Sequence, residues 1–563
     1  MRVGYHRPQS GFAFVSDDRI MRGISMRAIF QRWMAQVMAL AVVVIACGGQ
    51  ALAQVPLKEQ RQADALEKLA REEFGPLSAA ERTFVRGAAS RNLRWVGPND
   101  NPDDPMNDPA KTEKWGPERS IRAGVFAWLV ADSEAAPFLH PSGPGIAGAK
   151  IVGKLDLSYA DVTRPLTLVR CAIPDGVDFS NASIAGIELR SSVTGPILGD
   201  FSHVKGDLAL HFGHYGPLSI FRASIGGDFD CSGAEFTGSG VTDTISAQES
   251  SIGGDASFVQ NFTTDGMLYF RLARIGRSLS FNQARFIGSG ETGLDAERAT
   301  VAGPLYWVDI ARTTQTKLDL ENAAVASLFD NRASWPTPGN LDLEGFTYSE
   351  FGGDSPADSV ERLEWLGLQP SGYRPQPYAQ LAKALKQSGR TEGETEVLIA
   401  QRIAQRRSGH LSPAERAWNL LLEGTIGYGY RPLRALWWIV GFVMFGAMLF
   451  GWGYRAGIMT PSEAGAYEAF AHSGRPPVHY PHFNAFVYSL ENFLPVVDLH
   501  LETHWRPNAR ERVVVDPASG EWGTASATLA GKLLRWYLWF HILAGWTLTP
   551  LMFAGLSGLI RVE

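Results

Sequence analysis

Short runs in which apolar residues stand two apart fill the middle of the chain, and each run ends at a small residue. The best-matched copies are IGGDFDCSGAEF, beginning at Ile225, and IGRSLSFNQARF, beginning at Ile275. Such alternation predicts strands, and self-similarity at a period of roughly 20–27 residues predicts a stacked solenoid. We therefore expect a mainly β protein in which residues 148–350 form a right-handed β-helix of roughly eight coils. Its core is expected to include six phenylalanines: Phe179, Phe201, Phe229, Phe258, Phe281 and Phe286.

Helical periodicity predicts helices on both sides of the repeat. Residues Glu118–Glu134 carry an apolar stripe and are expected to form a capping helix, because a solenoid otherwise exposes its terminal apolar layer. After the repeat, 351–430 is predicted to be a helical cap and linker that starts with a Pro/Gly-containing exit segment over 351–374. Capping-box patterns at Thr391 and Ser412 predict the starts of two helices.

Two stretches near the C-terminus contain no charged residue, namely Ala435–Tyr454 and Trp536–Ile560. Each is long enough to cross a bilayer core of about 30 Å. We therefore predict a helical membrane domain over 431–563 with two transmembrane helices near 435–454 and 536–560. Arg431 and Arg434 directly precede the first span and are predicted to contact lipid headgroups.

The first 53 residues are typical of a secretory leader. Basic residues precede the apolar run Met34–Cys47, which is followed by Ala-Leu-Ala ending at Ala53. This order predicts a signal peptide over 1–53 with cleavage after Ala53. Two alternatives remain open: an uncleaved anchor, and lipidation of Cys47 within a lipobox-like sequence.

The leader also sets the predicted location of the rest of the chain. Residues 1–20 resemble no targeting element, so a start at Met21 or Met26 is equally compatible with the pattern. All readings of the leader place the polar region 54–147 and the β-helix outside the cytoplasm, which predicts a bacterial inner-membrane protein with a periplasmic solenoid. The basic residues that precede the first span, Arg434 among them, argue for the opposite orientation; we give the complete leader more weight.

Composition argues against a nucleic-acid-binding protein and leaves the predicted architecture unchanged. The formal net charge is −6, and the chain lacks the clustered basic surface of a nucleic-acid-binding protein. Cys171 and Cys231 are sixty residues apart in the repeat. They are expected to be buried and unpaired, since a disulfide needs Cα atoms within about 7 Å.

Two resemblances follow from these segments. The repeated segments, and the F-x-G-S-G sequences that close them, resemble bacterial pentapeptide-repeat-like β-helical proteins. GYGYRP at Gly427–Pro432, YSLENFLPVVD at Tyr488–Asp498 and Gly545-Trp546 resemble the tail of a bacterial membrane family often labelled "membrane-associated oxidoreductase". Together they cover most of the mature chain. They imply shared architecture and, through the label, a redox activity.

The residues offer little that would support that activity. Gly288–Gly293 fits G-x-G-x-x-G, but a dinucleotide site also needs a βαβ unit and a helix N-terminus. Gly238–Gly240 stands fifty residues earlier in the same phase of the repeat, so these glycines are predicted to be recurring corners. No catalytic residue, cofactor or metal site is predicted, and His211 and His214 lack a recognisable zinc spacing.

The membrane domain contains the only candidate functional residues. Thr425–Gly429 reads TIGYG, like a potassium filter, yet soluble-looking residues precede it, so a glycine turn is predicted. Phe483–Leu499 is apolar, interrupted by Pro495, and placed like a re-entrant pore helix. Within it, Glu491 and Asp498 are candidate functional carboxylates, because charge inside a membrane is costly. Alternatively, they are interfacial residues of a docked amphipathic segment.

Three functional hypotheses remain. The first is a non-catalytic, membrane-anchored β-helical protein that binds membrane lipids and an unidentified protein or envelope polymer, and that could form homo-oligomers through Ala554 and Gly558. The second is a channel-like or transport-regulating protein built around the re-entrant segment 483–499. The third is the oxidoreductase that the resemblance implies. Nucleic acid is not an expected partner of any of them.

Overall fold

The computed structural model describes residues 57–101, 104–238, 243–409, 411–473, 475–508, 512–515, 522–525 and 529–559. The predicted leader over 1–53 and the last predicted span residue, Ile560, lie outside these ranges. The described helices are α1 (57–74), α2 (Ala79–Gly87), α3 (Ala123–Ala131), α4 (Ser359–Leu366), α5 (Pro375–Gln387), α6 (Thr391–Arg407), α7 (Pro413–Ile426), α8 (Arg434–Arg455), α9 (Ala464–Ser473), α10 (Ala485–Phe493) and α11 (Leu529–Leu556).

The middle of the chain is a β-solenoid of about nine turns, built from parallel strands in three sheets. The 17-stranded sheet comprises Arg94–Trp95, Gly145–Ala147, Asp161–Val162, Leu166–Val169, Ser183–Ile184, Ile187–Arg190, His203–Val204, Leu208–His211, Ser224–Ile225, Phe229–Asp230, Ser251–Ile252, Ala256–Ser257, Arg274–Ile275, Leu279–Ser280, Thr300–Trp307, Ala324–Asp330 and Glu350–Phe351. The 8-stranded sheet comprises Ser120–Arg122, Lys150–Val152, Ala172–Ile173, Val193–Thr194, His214–Tyr215, Glu235–Phe236, Thr263–Thr264 and Arg285–Phe286. The 9-stranded sheet comprises Leu155–Asp156, Val177–Asp178, Ile197–Leu198, Leu218–Ser219, Asp243–Ser246, Met267–Tyr269, Thr292–Asp295, Thr316–Asp319 and Leu341–Asp342.

The register of these sheets agrees with the predicted length of a coil. Val177 pairs with Ile197, Ile197 with Leu218, and Leu218 with Ile245, so that successive coils are 20, 21 and 27 residues long. The sheets start earlier than residue 148, because Arg94–Trp95 pairs with Gly145–Ala147. The first coil therefore recruits segments that the repeat pattern does not mark.

Each coil turns a corner at a residue with left-handed backbone. Asn181 and Phe201 both have a φ of 58°, and the Asn181 N–H donates to the Asp200 carbonyl of the next coil at 2.9 Å. A left-handed L-residue costs about 1–2 kcal/mol, which these bonds between coils offset. The small residues that the repeat shows, such as Ala182 and Ser202, follow the corner and are buried.

Five of the six predicted core phenylalanines are buried, and the prediction is wrong for Phe201. Its side chain is 51% exposed, and its ring meets that of Phe221 edge-on at 5.5 Å between centroids. The reason is its place at the corner, where the left-handed turn directs the side chain outward. In the core, Phe258 and Phe281 stack at 5.0 Å.

The helix predicted over Glu118–Glu134 is shorter than expected. Ile121 lies in the strand Ser120–Arg122, where it pairs with Ile151, and α3 begins only at Ala123. A strand at this place provides hydrogen-bond partners for the backbone of Lys150–Val152 in the 8-stranded sheet. Phe126 of α3 stacks on Phe84 of α2 at 4.6 Å, so these two helices pack together beside the first coils.

The segment after the solenoid contains a helix that the sequence analysis missed. Arg362 of α4 is fully buried, and its two terminal nitrogens donate to the Asp330 carboxylate at 2.8 and 2.6 Å. Its guanidinium also lies 3.6 Å from the centre of the Phe351 ring. This buried ion pair joins α4 to a strand of the last coils.

Of the two predicted capping boxes, one is formed. Ser412 accepts from the Glu415 N–H while the Glu415 side chain accepts from the Ser412 N–H, at the start of α7. Helix α6 begins at Thr391 as predicted, but it has no side-chain cap, so the box predicted there is wrong.

Helices α8 and α11 are each long and apolar enough to cross a membrane. The bounds of α8 match the predicted span, whereas α11 begins before Trp536, at Leu529. The fold is thus a β-solenoid followed by a helical C-terminal region with two candidate membrane helices.

Candidate functional site

The short helix α10 lies between the two long helices α8 and α11. Glycines on both long helices make the close approach possible. A Cβ at Gly446 would lie 2.3 Å from the Ser489 hydroxyl, and one at Gly545 would lie 1.7 Å from the Phe493 carbonyl oxygen. Because α10 lies against a glycine of each long helix, these three helices form one packed unit.

Helix α10 runs into this unit from the C-terminal end of α8. At its entry, the Phe483 ring stacks on Tyr454 at 4.8 Å, whereas at its end the Phe493 ring stacks on Phe442 at 5.6 Å. Tyr454 and Phe442 are twelve residues apart on α8, which corresponds to about 18 Å along a helix axis. The end of α10 therefore lies beside the N-terminal half of α8. Measured from the C-terminal end of α8, α10 reaches past the midpoint of that helix.

The chain then turns back to the level where it entered. Pro495 follows the end of α10, and the returning segment reaches the strand Trp505–Pro507, which pairs with Met459–Pro461 just after α8. The Trp505 ring lies 5.4 Å from Tyr454. We call residues 484–505 the hairpin and residues 494–500 the hairpin tip.

Glu491, one of the two predicted functional carboxylates, holds this hairpin together. Its side chain is almost fully buried and accepts hydrogen bonds from the backbone N–H groups of Leu499, Leu501 and Glu502 at 3.0–3.2 Å. These three donors satisfy both oxygens of a carboxylate that is buried away from water. Glu491 therefore acts as a positioning residue for the returning segment.

Asp498, the other predicted carboxylate, is instead exposed at the tip. Its side chain is 69% exposed and pairs with His500, 80% exposed, at 2.8 Å. Because α10 ends at Phe493, before Pro495, Glu491 and Asp498 do not share a helix face.

A buried histidine connects the hairpin to α11. The His541 Nε2 atom lies 3.0 Å from the Ser489 carbonyl oxygen, and its Nδ1 atom lies 3.2 Å from the Tyr537 hydroxyl. The Ser489 hydroxyl donates to the Val443 carbonyl of α8 at 2.8 Å. This network gives His541 a hydrogen-bonding role and fixes the depth of α10 between the long helices.

The two arginines predicted to contact lipid lie at the start of α8. Arg431 pairs with Glu396 of α6 at 3.4 Å, and the Arg434 side chain lies 3.5 Å from the Glu423 carbonyl oxygen. Both are at least partly exposed, so contact with headgroups stays a prediction. Just before them, Gly427 and Tyr428 have φ angles of 54° and 58°, so the TIGYG sequence forms the predicted glycine turn.

The remaining sequence motifs take structural positions. The segment Gly288–Gly293 joins Arg285–Phe286 to the strand Thr292–Asp295, and no helix follows it. Its counterpart Gly238 follows the strand Glu235–Phe236, and Ser239 and Gly240 lie outside the described residues. Among the described residues, no group of three or more metal-ligating side chains is found.

The structure removes the basis for pairing Ala554 with Gly558 in an oligomer. Helix α11 ends at Leu556, and Gly558 has a φ of 77°, so the two residues do not form a stripe on one helix. Cys171 and Cys231 are buried and unpaired, as expected, and burial raises the pKa of the Cys171 thiol to about 12.

A cavity that the sequence analysis did not identify lies beside the first coil. Its volume is about 440 Å³, and its lining includes Lys111, Lys114, Trp115 and Arg119. Arg119 is 4% exposed, its Nε donates to the Gly148 carbonyl at 2.8 Å, and Trp115 stacks 3.6 Å from its guanidinium. The lysines fall in no recognisable motif, so the sequence carries no signal for this site.

Comparison with known proteins yields no relative from which a role could be transferred. No family model matches the chain. No curated protein matches it, and no solved structure does. The functional argument therefore rests on the residues and their geometry.

Proposed function

We propose that this protein is a non-catalytic binding protein of the bacterial envelope, anchored in the inner membrane by α8 and α11. The observation that carries the proposal is the union, in one chain, of a long solenoid surface with two helices of membrane-spanning length. Solenoids expose extended surfaces that suit binding more readily than catalysis. The leader argues for a periplasmic solenoid.

Several finer features belong to this proposal. The coils would wind in the right-handed sense, and α1–α3 and α4–α6 would act as caps that shield the terminal apolar layers. The partner would be a protein or envelope polymer. The cavity, which has Lys114 in its lining, would accept an acidic group of it, since an ammonium group attracts an anion.

Membrane anchoring can be tested by extraction of the full chain. Cells that express the protein would be broken, and their membranes washed with alkaline carbonate and then with detergent. The anchor requires that the protein resist carbonate and dissolve only in detergent. Release by carbonate, or recovery in the soluble fraction, would contradict it.

Binding can be tested by photo-crosslinking in living cells. A photoreactive amino acid at Lys114 or at the exposed corner residue Phe201 should give a discrete adduct of higher mass. The same group at Glu468, an exposed residue of α9 far along the chain from the solenoid, serves as the control. Equal labelling at all three positions, or none, would argue against a specific solenoid partner.

A second candidate function is channel-like or transport-regulating activity of the C-terminal region. The specific observation in its favour is the hairpin, with α10 inserted between two membrane-length helices. Non-helical backbone within a membrane is tolerated only where protein covers it or where it lines a water-filled cavity. The oxidoreductase alternative has no comparable observation, since the G-x-G-x-x-G segment lies between two solenoid strands.

A further inference from the structure

Helix α7 packs with the two membrane-length helices, although the sequence analysis grouped it with the cap of the solenoid. Its last turns join the first turn of α8 and the last turns of α11 in one apolar cluster. That cluster comprises Ile426, Ala435 and Leu551, with Leu421, Leu422 and Met552 packed against it. Val397 of the preceding helix α6 belongs instead to the core of the solenoid. The change from the solenoid to the membrane-length helices therefore occurs between α6 and α7.

One face of α7 is polar and is turned toward the solenoid cap. Arg416 and Glu423 are seven residues apart, so they lie on the same side of the helix. Arg416 donates to the Gly409 carbonyl, just after α6, at 3.2 Å. Glu423 forms an ion pair with Arg406 of α6. This face is therefore occupied by the end of α6.

The opposite face of α7 is apolar and is covered along only part of its length. Trp418, Leu421 and Leu422 share this face, because residues three and four positions apart are neighbours on a helix. Leu421 and Leu422 pack against the cluster formed with α8 and α11. Trp418, one turn earlier, is 51% exposed, and Ala414, a further turn earlier, is exposed as well. The described part of the chain therefore leaves the first turns of this face uncovered.

The uncovered face lies at the end of α8 where a membrane boundary is expected. The Trp438 indole N–H donates to the Gly424 carbonyl at 3.0 Å, and the Arg434 side chain lies 3.5 Å from the Glu423 carbonyl oxygen. Beside them, Trp437 is 79% exposed. Tryptophan is enriched at the interfaces of a bilayer, and basic side chains at the ends of membrane helices reach the headgroups. Helix α7 thus lies beside residues typical of a membrane–water boundary.

We propose that α7 is an interfacial helix, which lies on the membrane that α8 and α11 enter and inserts Trp418 among the phospholipids. This inference rests on the proposed anchoring by α8 and α11. The occupant of the uncovered face is phospholipid, because that face continues into the cluster shared with both membrane-length helices while the polar face meets α6. Such helices bury their apolar face about 5–10 Å into the boundary between headgroups and acyl chains. In this position α7 links the solenoid cap to the membrane surface.

The depth of α7 can be measured with nitroxide labels on the full chain in liposomes of phosphatidylcholine and phosphatidylglycerol. Trp418→Cys tests the apolar face, and Arg416→Cys, exposed on the opposite face of the same helix, is the matched control. Met444→Cys, at a residue that is 57% exposed in the middle of α8, tests the anchor. Cys47→Ser removes the leader thiol from every variant, and the two solenoid thiols are buried. Paramagnetic resonance then reports collisions with oxygen, which concentrates among acyl chains, and with a water-soluble nickel chelate.

The proposal expects nickel collisions to be at least ~5-fold rarer at Trp418→Cys than at Arg416→Cys, because an interfacial helix buries only its apolar face. Oxygen collisions should be more frequent at Trp418→Cys. If nickel reaches both α7 labels equally while Met444→Cys stays shielded from it, α7 lies in water and the inference is wrong, although the anchor stands. If Trp418→Cys is shielded from both reagents, protein covers the face and the assignment to lipid is wrong. If nickel reaches Met444→Cys as well, the anchor itself fails.

A second pair of variants tests the insertion of Trp418 itself. The label is placed on Ala414→Cys, one turn before Trp418 on the same face. Trp418→Glu should raise nickel collisions at this label several-fold, because a carboxylate is costly to move out of water. Leu420→Glu introduces the same charge at a residue that is 57% exposed and two positions from Trp418, so it points to the other side of the helix and should change the collisions less than ~2-fold. Equal increases in the two variants, or no increase in Trp418→Glu, would contradict insertion of this face.

Discussion

The solenoid and the C-terminal helical region both hold neighbouring segments together by hydrogen bonds to carboxylates, but they do so in opposite ways. In the solenoid each coil forms backbone hydrogen bonds with the next coil. The Asp207, Asp228 and Asp255 carboxylates also accept hydrogen bonds from backbone N–H groups of successive coils at 2.8–2.9 Å. In the helical region single residues such as Glu491 and His541 act once. Repetition distributes stability over many equivalent contacts, whereas the hairpin depends on a few irreplaceable ones.

The sharpest test of distributed stability is the fully buried ion pair that joins α4 to the last coils. Arg362→Met should destabilise the solenoid by about 3–5 kcal/mol, because it leaves the Asp330 carboxylate buried and unpaired. Arg332→Met, which removes an exposed pair with Glu364, should cost less than about 1 kcal/mol. Circular dichroism during denaturant unfolding of the full chain in detergent reports both. Equal losses would mean that burial of the pair is irrelevant.

A backbone contact in the helical region should be nearly as sensitive. Gly545→Ala places a methyl group against the Phe493 carbonyl and should destabilise the packing of α10 by about 3 kcal/mol. Gly441→Ala on α8 meets no atom within 4 Å and should be neutral or slightly stabilising. Protease resistance of the loop between α8 and α11 measures the difference. A stable Gly545→Ala variant would show that α10 does not lie against α11.

A hydrogen bond from a backbone N–H group to a carboxylate occurs in both regions and can be weakened in each. Glu491→Gln should loosen the hairpin by about 2 kcal/mol, since a buried carboxylate with three amide donors loses its charge. Asp207→Asn weakens a similar bond at an exposed position of the solenoid and should cost about 0.5 kcal/mol. Hydrogen exchange at the amides of Leu501 and Asp228 measures each effect locally. Comparable increases in exchange would contradict the contrast between single and repeated contacts.

The smallest expected effect depends on pH. Burial and the neighbouring carboxylates of Asp295 and Asp342 raise the pKa of Asp319 to about 6. Since this value exceeds the ordinary 3.8, the charged form is disfavoured in the folded state, and stability falls as pH rises from about 4 to above 6. Asp319→Asn should therefore stabilise the solenoid by roughly 1 kcal/mol at pH 7.5, after allowance for partial exposure, and change little at pH 4.

Melting temperatures at the two pH values check this prediction. Asp342→Asn is a useful comparison, because that carboxylate pairs with Arg374 and its loss should not stabilise the fold at pH 7.5. If Asp319→Asn destabilises the solenoid at pH 7.5, the carboxylate has a partner that favours its charge.

The strand pattern was predictable because it repeats. Val177, Ile197 and Leu218 occupy one column of the core, and any one of them can be read from the others. Phe201 was misassigned because alternation does not reveal which residue takes the left-handed corner. The sequence pattern predicts a helix at Ser120–Arg122 because the strand found there exists only through pairing with Lys150–Val152.

The candidate site was predictable only in outline. Charge and hydropathy along the chain identified the segment 483–499 and the carboxylates Glu491 and Asp498. They could not separate the two roles, because Glu491 acquires its donors from residues eight to eleven positions later, after the chain has turned at Pro495.

By itself, the sequence determined the solenoid, the coil length and the two membrane-length helices, because each depends on periodicity or on local hydropathy. Only the tertiary structure decided that α10 lies between α8 and α11, that Glu491 holds the returning chain and that Asp498 stays exposed. Those outcomes depend on contacts between residues such as Gly545 and Phe493, which are far apart in sequence and follow no repeat. Long-range packing of that kind leaves no periodic trace for a sequence to show.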